Sequence, residues 1–423
     1  MGNKMDKPSK RILIVAGEAS ADLHGSNLIN AIRELNPNVH FYGVGGQRIK
    51  EAGVNVLFDS SDMAVVGVME VFSKLKTIIK AFRELKKSLK VNHPDLVILI
   101  DYPDFNLHLA KFAKKRGIPV LYYISPQVWA WRRRRIKKIA RLVDKLLVIL
   151  PFEVPFYEKE RIDVEFVGHP LIDIAKPKFS RETALERFNL DKGKITIGLF
   201  PGSRNSEVKL LLPKMLKAAE ILNKRLGNLQ FVLPVASTIN KIQIEKIIGN
   251  TCNNVRVNVI TDNNYDAINI SRVVIVASGT TTLEAAIINS PMVILYKLSP
   301  LTYLIGKLMI KVENIGLVNL VAQRRVVCEL IQHDVTPEQI AGEVLKILED
   351  RELYSKIKNE LTWVKEKLGA PGASFKAARI ATGMMGIEPV IQTLDHRQQT
   401  SDNRQQTEEG EIARDYTIGK SGV

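Results

Sequence analysis

The chain has 423 residues, 45% of them hydrophobic, enough to bury two or three cores. Lys and Arg outnumber Asp and Glu by 61 to 45, a formal charge of +16 that favours anionic partners without choosing among nucleic acid, anionic lipid and phosphorylated small molecules. The only cysteines, Cys252 and Cys328, exclude a disulfide framework and a cysteine-ligated zinc site and fit a reducing compartment; the polar start lacks a signal-peptide core, and no window of ~18 apolar residues predicts a spanning helix.

Strand and helix patterns alternate along the chain and predict an α/β protein with parallel sheets. A strand over 12–16 runs into GEASADLHG at 17–25 and a helix that continues to residue 35. Small residues at a strand-to-helix turn let backbone amides approach a ligand. Glu18 and Asp22 argue against a phosphate cradle there and for a site that receives sugar hydroxyls, with plain helix capping as the alternative. A strand over 39–44 leads into GVGG at 43–46, which lacks the full dinucleotide-binding spacing. The stretch 63–90 predicts an amphipathic helix, with Phe72, Leu75, Ile79, Phe82 and Leu89 near helical spacing and lysines among them. The apolar residues Val65, Val66, Val68 and Met69 at its start suit a membrane interface, while the remainder suits packing on a sheet.

A buried strand over 96–100 ends at Asp101, where a Tyr-Pro pair breaks it. Asp104 is placed to cap a helix over 105–115, and a strand over 118–124 follows Gly117. Ligands of open α/β sheets bind beyond the C-terminal ends of strands, so Asp101 is a candidate for proton transfer. SPQVWAW at 125–131 and RRRRIKKIAR at 132–141 join aromatics to a basic run that would suit nucleic acid or phospholipid. The apolar spacing of Ile136, Ile139, Ala140 and Val143 instead predicts a packed helix with one charged side. Strands over 145–150 and 164–167 and the turn GHPL at 168–171 close a first domain, and 173–194 reads as a charged linker.

The second half repeats the pattern. A strand over 195–200 opens into PGSRNSEV at 201–208, whose small residues offer amides and whose Arg204 offers a planar fork for phosphate oxygens. Gly202, Ser203 and Arg204 thus form a candidate diphosphate site that needs no metal. Strands over 230–235, 255–260 and 273–276 follow, the last feeding ASGTTTLEAA at 277–286. Ser278, Gly279 and Thr280 stand before a helix, and Glu284 is placed to accept from ribose hydroxyls or to favour the helix dipole. An apolar helix over 301–310 precedes Asn319, Arg324, Arg325, Glu329 and Gln332, which supply polar groups to a cleft. Helices over 337–348, 352–367 and 373–385 complete the fold, the last returning to the first domain. The polar stretch from 388, with RQQT twice, is read as disordered and given no role.

In order and spacing, GEASADLHG, DYPDFN, SPQVWAW with its arginines, LPFE, FVGHPL, PGSRNSE and ASGTTTLE resemble the lipid A disaccharide synthases, a family of inverting glycosyltransferases, over about residues 11–385. The resemblance implies a GT-B architecture, two Rossmann-like domains with parallel sheets facing across a cleft. It implies an acceptor and membrane-facing domain at 10–172, a nucleotide-sugar domain at 173–350, returning helices at 351–387 and a tail at 388–423. The implied reaction joins UDP-2,3-diacylglucosamine to 2,3-diacylglucosamine 1-phosphate (lipid X). It gives the β-1,6 disaccharide 1-phosphate and UDP without cofactor or metal, at the cytoplasmic face of the inner membrane. Asp101 would be the base, Glu18, Ser20 and Asp22 would serve the acceptor, and Gly202, Ser203, Arg204, Ser278, Gly279, Thr280, Glu284, Asn319 and Gln332 would bind UDP. Val68, Met69, Val71, Phe72, Leu75, Ile78 and Ile79 would touch an anionic membrane. The resemblance admits a homodimer and no nucleic-acid partner. Departures from the family pattern fall around Asn319: proline is expected at Val318, a small residue at Gln323 and proline at Cys328. Another UDP-N-acetylglucosamine enzyme of the same architecture, transferase or 2-epimerase, is the nearest alternative, opposed by DYPDFN and SPQVWAW.

Overall fold

The computed structural model describes residues 9–63, 68–126, 135–236, 238–252, 254–261, 263–298 and 314–387, with side chains of the helix Val68–Val91 described from residue 76 onward. Trp129, Trp131, the arginines at 132–134, the apolar helix expected over 301–310 and the tail from 388 lie outside the described residues, as do Val65 and Val66.

Two parallel sheets carry the fold. The first contains β1 (Lys10–Ala16), β2 (Val39–Gly45), β3 (Asn55–Asp59), β4 (Leu96–Ile100), β5 (Val120–Tyr123), β6 (Lys145–Val148) and β7 (Val164–Phe166), in the order β3-β2-β1-β4-β5-β6-β7. The second contains β8 (Ile195–Phe200), β9 (Leu229–Val235), β10 (Val257–Thr261), β11 (Val273–Ala277), β12 (Met292–Tyr296) and β13 (Cys328–Ile331), in the order β10-β9-β8-β11-β12-β13. In both sheets the strand order reverses once, between β1 and β4 and between β8 and β11, and a crevice opens at such a reversal. Register places the turns side by side: Ala16 pairs with Ile100, and Phe200 with Val276.

The central strands are apolar along their whole length because helices cover both faces. All five residues of β4 are buried, and alternate residues feed opposite layers. Ile98 and Ile100 pack with the helix Ala19–Leu35, while Val97 and Leu99 pack with Ala81, Leu85, Phe105 and Ile139 from three other helices. The helix Ala373–Met384 lies on Ala19–Leu35, and its approach is fixed by Gly372 N–H donating to the Asp173 carboxylate (3.0 Å), His169 N–H to Leu368 O (2.8 Å) and Lys376 Nζ to Phe166 O (2.7 Å).

Several elements differ from the sequence-based expectation. Strands β3, β12 and β13 were not expected. β3 is an edge strand with alternating half-exposed residues, and β13 has Glu329 at its second position, so neither reads as a buried run. The segment read as a linker contains the helix Arg181–Arg187, tied down by Asp266, whose carboxylate accepts the N–H groups of Lys178 (2.8 Å) and Phe179 (3.0 Å).

Candidate functional site

At the first strand reversal the chain leaves β4 through two consecutive left-handed residues, Asp101 (φ 47°) and Tyr102 (φ 45°). Side chains hold this turn where the backbone alone would not stay. Asn106 Nδ2 donates to Ile100 O (3.2 Å) and Asp101 O (2.6 Å), and the buried Tyr122 hydroxyl donates to Asp101 O (2.5 Å). Pro103 then opens the helix Pro103–Lys114 with a preset φ. The Tyr102 ring covers Gly17 so closely that a β-carbon there would sit 2.7 Å from Tyr102 Cγ. The Asp101 carboxyl is thereby partly enclosed. Burial, and then the negative charge of Glu18, push its pKa up to about 6, while the Tyr102 N–H pulls it back. Glu18, whose charge acts on Asp101, and Ser20 are both exposed at the start of Ala19–Leu35.

Two expected roles in this region are corrected. Asp104 is not at the cap position, which Tyr102 occupies: it lies within the first turn and pairs with Arg135. Asp22 is no open acceptor group. It is buried, and its carboxylate accepts the N–H groups of Gly46 (2.6 Å), Arg48 (3.0 Å) and Ile49 (3.2 Å), which fastens the start of the short helix Gln47–Glu51. An anion at a helix N-terminus is stabilised there, and its lone pairs are engaged.

At the second reversal, Pro201, Gly202, Ser203 and Arg204 face Ser278, Gly279, Thr280 and Thr281 across a cavity of about 190 Å³. The helices Asn205–Leu226 and Thr281–Ile287 both begin at its wall, so their positive ends favour an anion between them. Gly202 adopts φ 106°, and a β-carbon there would collide with the Glu207 carboxylate. Glu207 also lines the cavity and was missed in the sequence, although the spacing from Arg204 is that of a capping box. It accepts from Arg204 Nη1 (2.8 Å), and the Arg204 side chain is otherwise 66% exposed. Ser278 N–H donates to Leu295 O (2.9 Å) and its hydroxyl to Ile315 O (3.4 Å). Glu284 is half-buried, receives the Tyr265 hydroxyl (3.4 Å) and has its pKa raised by burial. Burial, and then the charge of Glu284, push the Tyr265 pKa up, with Arg48 a minor opposing influence.

Asn319 and Gln332 stand apart from this cavity. The Asn319 side chain is wholly buried, donating to Val327 O (3.0 Å) and Glu329 Oε1 (2.7 Å) and accepting from Val326 N (2.8 Å) and Val327 N (3.1 Å). Gln332 accepts from Leu298 N through Oε1 (2.9 Å) and from Lys297 Nζ through its carbonyl (2.7 Å). The Asn319 side chain thus holds the loop before β13, and Gln332 braces the ends of two strands. Glu329 completes the brace, accepting from Ile315 N (2.9 Å) and Gly316 N (3.0 Å). Gln323 caps the helix Leu317–Ala322 in the left-handed region (φ 54°), where a small residue would fit more easily. Among the described residues, no group of three or more His, Cys, Asp or Glu side chains is placed to hold a metal ion, and no described helix is long and apolar enough to cross a membrane.

Of the expected membrane contacts, Val68, Met69, Val71, Phe72 and Leu75 lie on the helix Val68–Val91, their side chains outside the described set. Ile78 is half-buried against the core, and Ile79 is 41% exposed.

A family model described as lipid-A-disaccharide synthetase matches residues 12–380. The lipid-A-disaccharide synthase of Geobacter sulfurreducens is 48% identical over 381 residues, covering 90% of this chain and 99% of the relative. That of Syntrophus aciditrophicus is 50% identical over 373 residues, covering 88% and 97%. Among solved structures, the UDP-GlcNAc 2-epimerase of Neisseria meningitidis bound to UDP-GlcNAc superposes with a TM-score of 0.62 at 15% identity, covering 88% of this chain and 99% of that one. The calicheamicin glycosyltransferase CalG4 gives 0.57 at 13% identity, covering 89% and 99%. At such identities the structural likeness establishes the two-domain GT-B fold, and the sequence relatives decide between epimerase and transferase. The chain belongs to the lipid-A-disaccharide synthetase family.

Proposed function

We propose that the protein transfers the 2,3-diacylglucosaminyl group of UDP-2,3-diacylglucosamine to the 6-hydroxyl of 2,3-diacylglucosamine 1-phosphate, with inversion and without a metal. Membership of the family makes it a glycosyltransferase of lipid A disaccharide synthesis. The observation that carries the assignment of roles is the strained, half-enclosed Asp101 at one strand reversal, with an anion-favouring cavity at the equivalent reversal of the other sheet.

In this reading the acceptor O6 attacks the anomeric carbon from the side opposite UDP. Its proton passes to the Asp101 carboxylate as the new C–O bond forms. The bond to the β-phosphate oxygen breaks, and its electron pair leaves with UDP. A carboxyl group held at about 6 is ionised at neutral pH and is more basic than a free one, which suits that transfer. The exposed Glu18 and Ser20 would hold acceptor hydroxyls, and Asp22 fixes the start of the helix Gln47–Glu51 nearby. Gly202, Ser203, Ser278, Gly279 and Thr280 receive the diphosphate, and Glu284 the ribose. Arg204 exchanges Glu207 for the departing phosphate and stabilises its growing charge. Solved proteins of the same fold with UDP or UDP-GlcNAc bound support a UDP-sugar donor. Both substrates carry acyl chains, so the apolar start of Val68–Val91 and Ile79 would rest on an anionic cytoplasmic membrane surface.

The test is incubation with both substrates and mass spectrometry of the lipids. Tetraacyl disaccharide 1-phosphate with stoichiometric UDP is expected. Hydrolysis of the donor alone would sink the proposal, and loss of turnover in EDTA with recovery in magnesium would refute the metal-free step.

A further inference from the structure

On one face of the first sheet the helices Val68–Val91, Pro103–Lys114 and Ile136–Leu142 stand in a row, each touching the next. Beyond the last comes the short helix Glu153–Glu158. Between these final two lies an open groove of about 700 Å³. Its floor is apolar, made by Ile136 and the half-buried Phe156. Its rim is formed by the exposed side chains of Lys137, Lys138, Arg141 and Lys159, with Glu160 as the single carboxylate lining it.

The surrounding carboxylates do not neutralise that rim. Asp144 pairs with Lys114, Asp163 and Glu165 pair with Lys145, and Glu153 is buried, bonded to Ser125 and to Leu150 N. None of the four rim cations has a carboxylate within ion-pair distance among the described residues. The same face continues into the exposed Lys80, Lys87 and Lys90 of Val68–Val91. An apolar floor with a ring of unpaired cations matches a headgroup phosphate joined to hydrocarbon, and neither free phosphate nor a base-reading nucleic-acid surface needs that floor.

We propose that this groove seats the headgroup of an anionic bilayer phospholipid, as a second membrane anchor besides the apolar start of Val68–Val91. The proposal rests on the reading that the enzyme works at a membrane surface. Its geometry also implies an orientation: the helix row faces the bilayer and the C-terminal helix Ala373–Met384, on the other face of the sheet, faces away.

The experiment is co-sedimentation of the full chain with phosphatidylcholine vesicles, with and without about 30% phosphatidylglycerol. The variant K138Q/R141Q/K159Q is compared with K80Q/K87Q/K90Q, which removes equal charge from the same face. Each interfacial cation contributes roughly fivefold in partition. The surface potential alone would cost either variant up to about 100-fold, so the groove variant, which also loses its contacts to a seated phosphate, is expected to lose more than about 100-fold on anionic vesicles and nothing on neutral ones. The control is expected to lose distinctly less. Turnover on detergent-dispersed substrates should be unchanged in both, which also separates a failed anchor from a failed assignment of the reaction. Equal losses in the two variants, an unchanged groove variant, or salt-sensitive RNA capture by the wild type that the groove variant abolishes would overturn the proposal.

Discussion

At the scale of single residues, Asp101 combines strain, enclosure and a raised pKa, and these have opposite consequences for activity and stability. As a base it must be ionised, so kcat/KM is expected to fall tenfold per pH unit below about pH 6. For stability the sign reverses. Its folded pKa lies above the unfolded value of 3.8, so the stabilising protonated form is lost as pH rises through about 6. At pH 7.5 the enclosed charge costs about 1 to 3 kcal/mol. Asp101→Asn removes that charge and tolerates the left-handed backbone better. It is expected to lower turnover by about 10²–10⁴-fold while raising the urea midpoint at pH 7.5. Near-normal turnover in this variant would move the base to Glu18. The position of Asp101 at the end of β4 was legible in the sequence because an apolar run followed by Tyr-Pro marks where the strand breaks. The bonds made by Asp22, Asn319 and Gln332 were not legible, because their partners are backbone groups supplied by other segments, which no local pattern reveals.

At the scale of elements, the Asp101 turn is held in an unfavourable conformation by side chains from its neighbours, whereas the Gly202 turn depends on the absence of one. Tyr122 reaches from β5 to the Asp101 carbonyl, and its ring is fully buried. Tyr122→Phe keeps the ring and removes the donor. It is expected to cost about 1 kcal/mol of stability and to slow turnover about tenfold, with substrate KM little changed. Unchanged kcat would show that Asn106 alone suffices to hold the turn. On the other sheet, Gly202→Ala forces a side chain into a left-handed position and against Glu207. A rise in donor KM of at least about tenfold and a stability loss of about 1 to 3 kcal/mol are expected, measured by initial rates and urea titration. Strands that run into loops of small residues were readable from their apolar runs, as β1, β8 and β11 show. Strands β12 and β13 were not, since four buried residues in a row fit a helix equally well and Glu329 hides the second strand by serving a loop instead of the sheet surface.

At the scale of the whole molecule, the same strand reversal occurs twice, and the chain joins the two sheets through a seam at His169. The recurrence was visible in the sequence as three small-residue turns at strand ends; the seam was not, because it depends on residues roughly two hundred apart. There His169 N–H binds Leu368 O, its Nδ1 accepts from Leu171 N (3.2 Å), and the buried His24 lies near enough to disfavour its protonation. Burial lowers His24 to about 4 and His169 to about 3, from 6.5 for a free imidazole. Because the folded values are depressed, the unfolded chain takes up protons first. Stability from the two neutral rings is complete above pH 6.5 and declines as pH falls through that value. At pH 5 each ring contributes a loss of about 2 kcal/mol, partly offset by Asp101, which gains protons over the same range. Protonation at His169 Nδ1 would also convert the acceptor of Leu171 N–H into a donor and open the seam. Wild type is therefore expected to lose stability between pH 7 and pH 5, with hydrogen exchange rising first around residues 168–172 and 368–373. H24Q/H169N, less stable at pH 7, should show a much flatter pH dependence. An equally steep loss in the double variant would assign the acid sensitivity to other groups and leave the seam indifferent to pH.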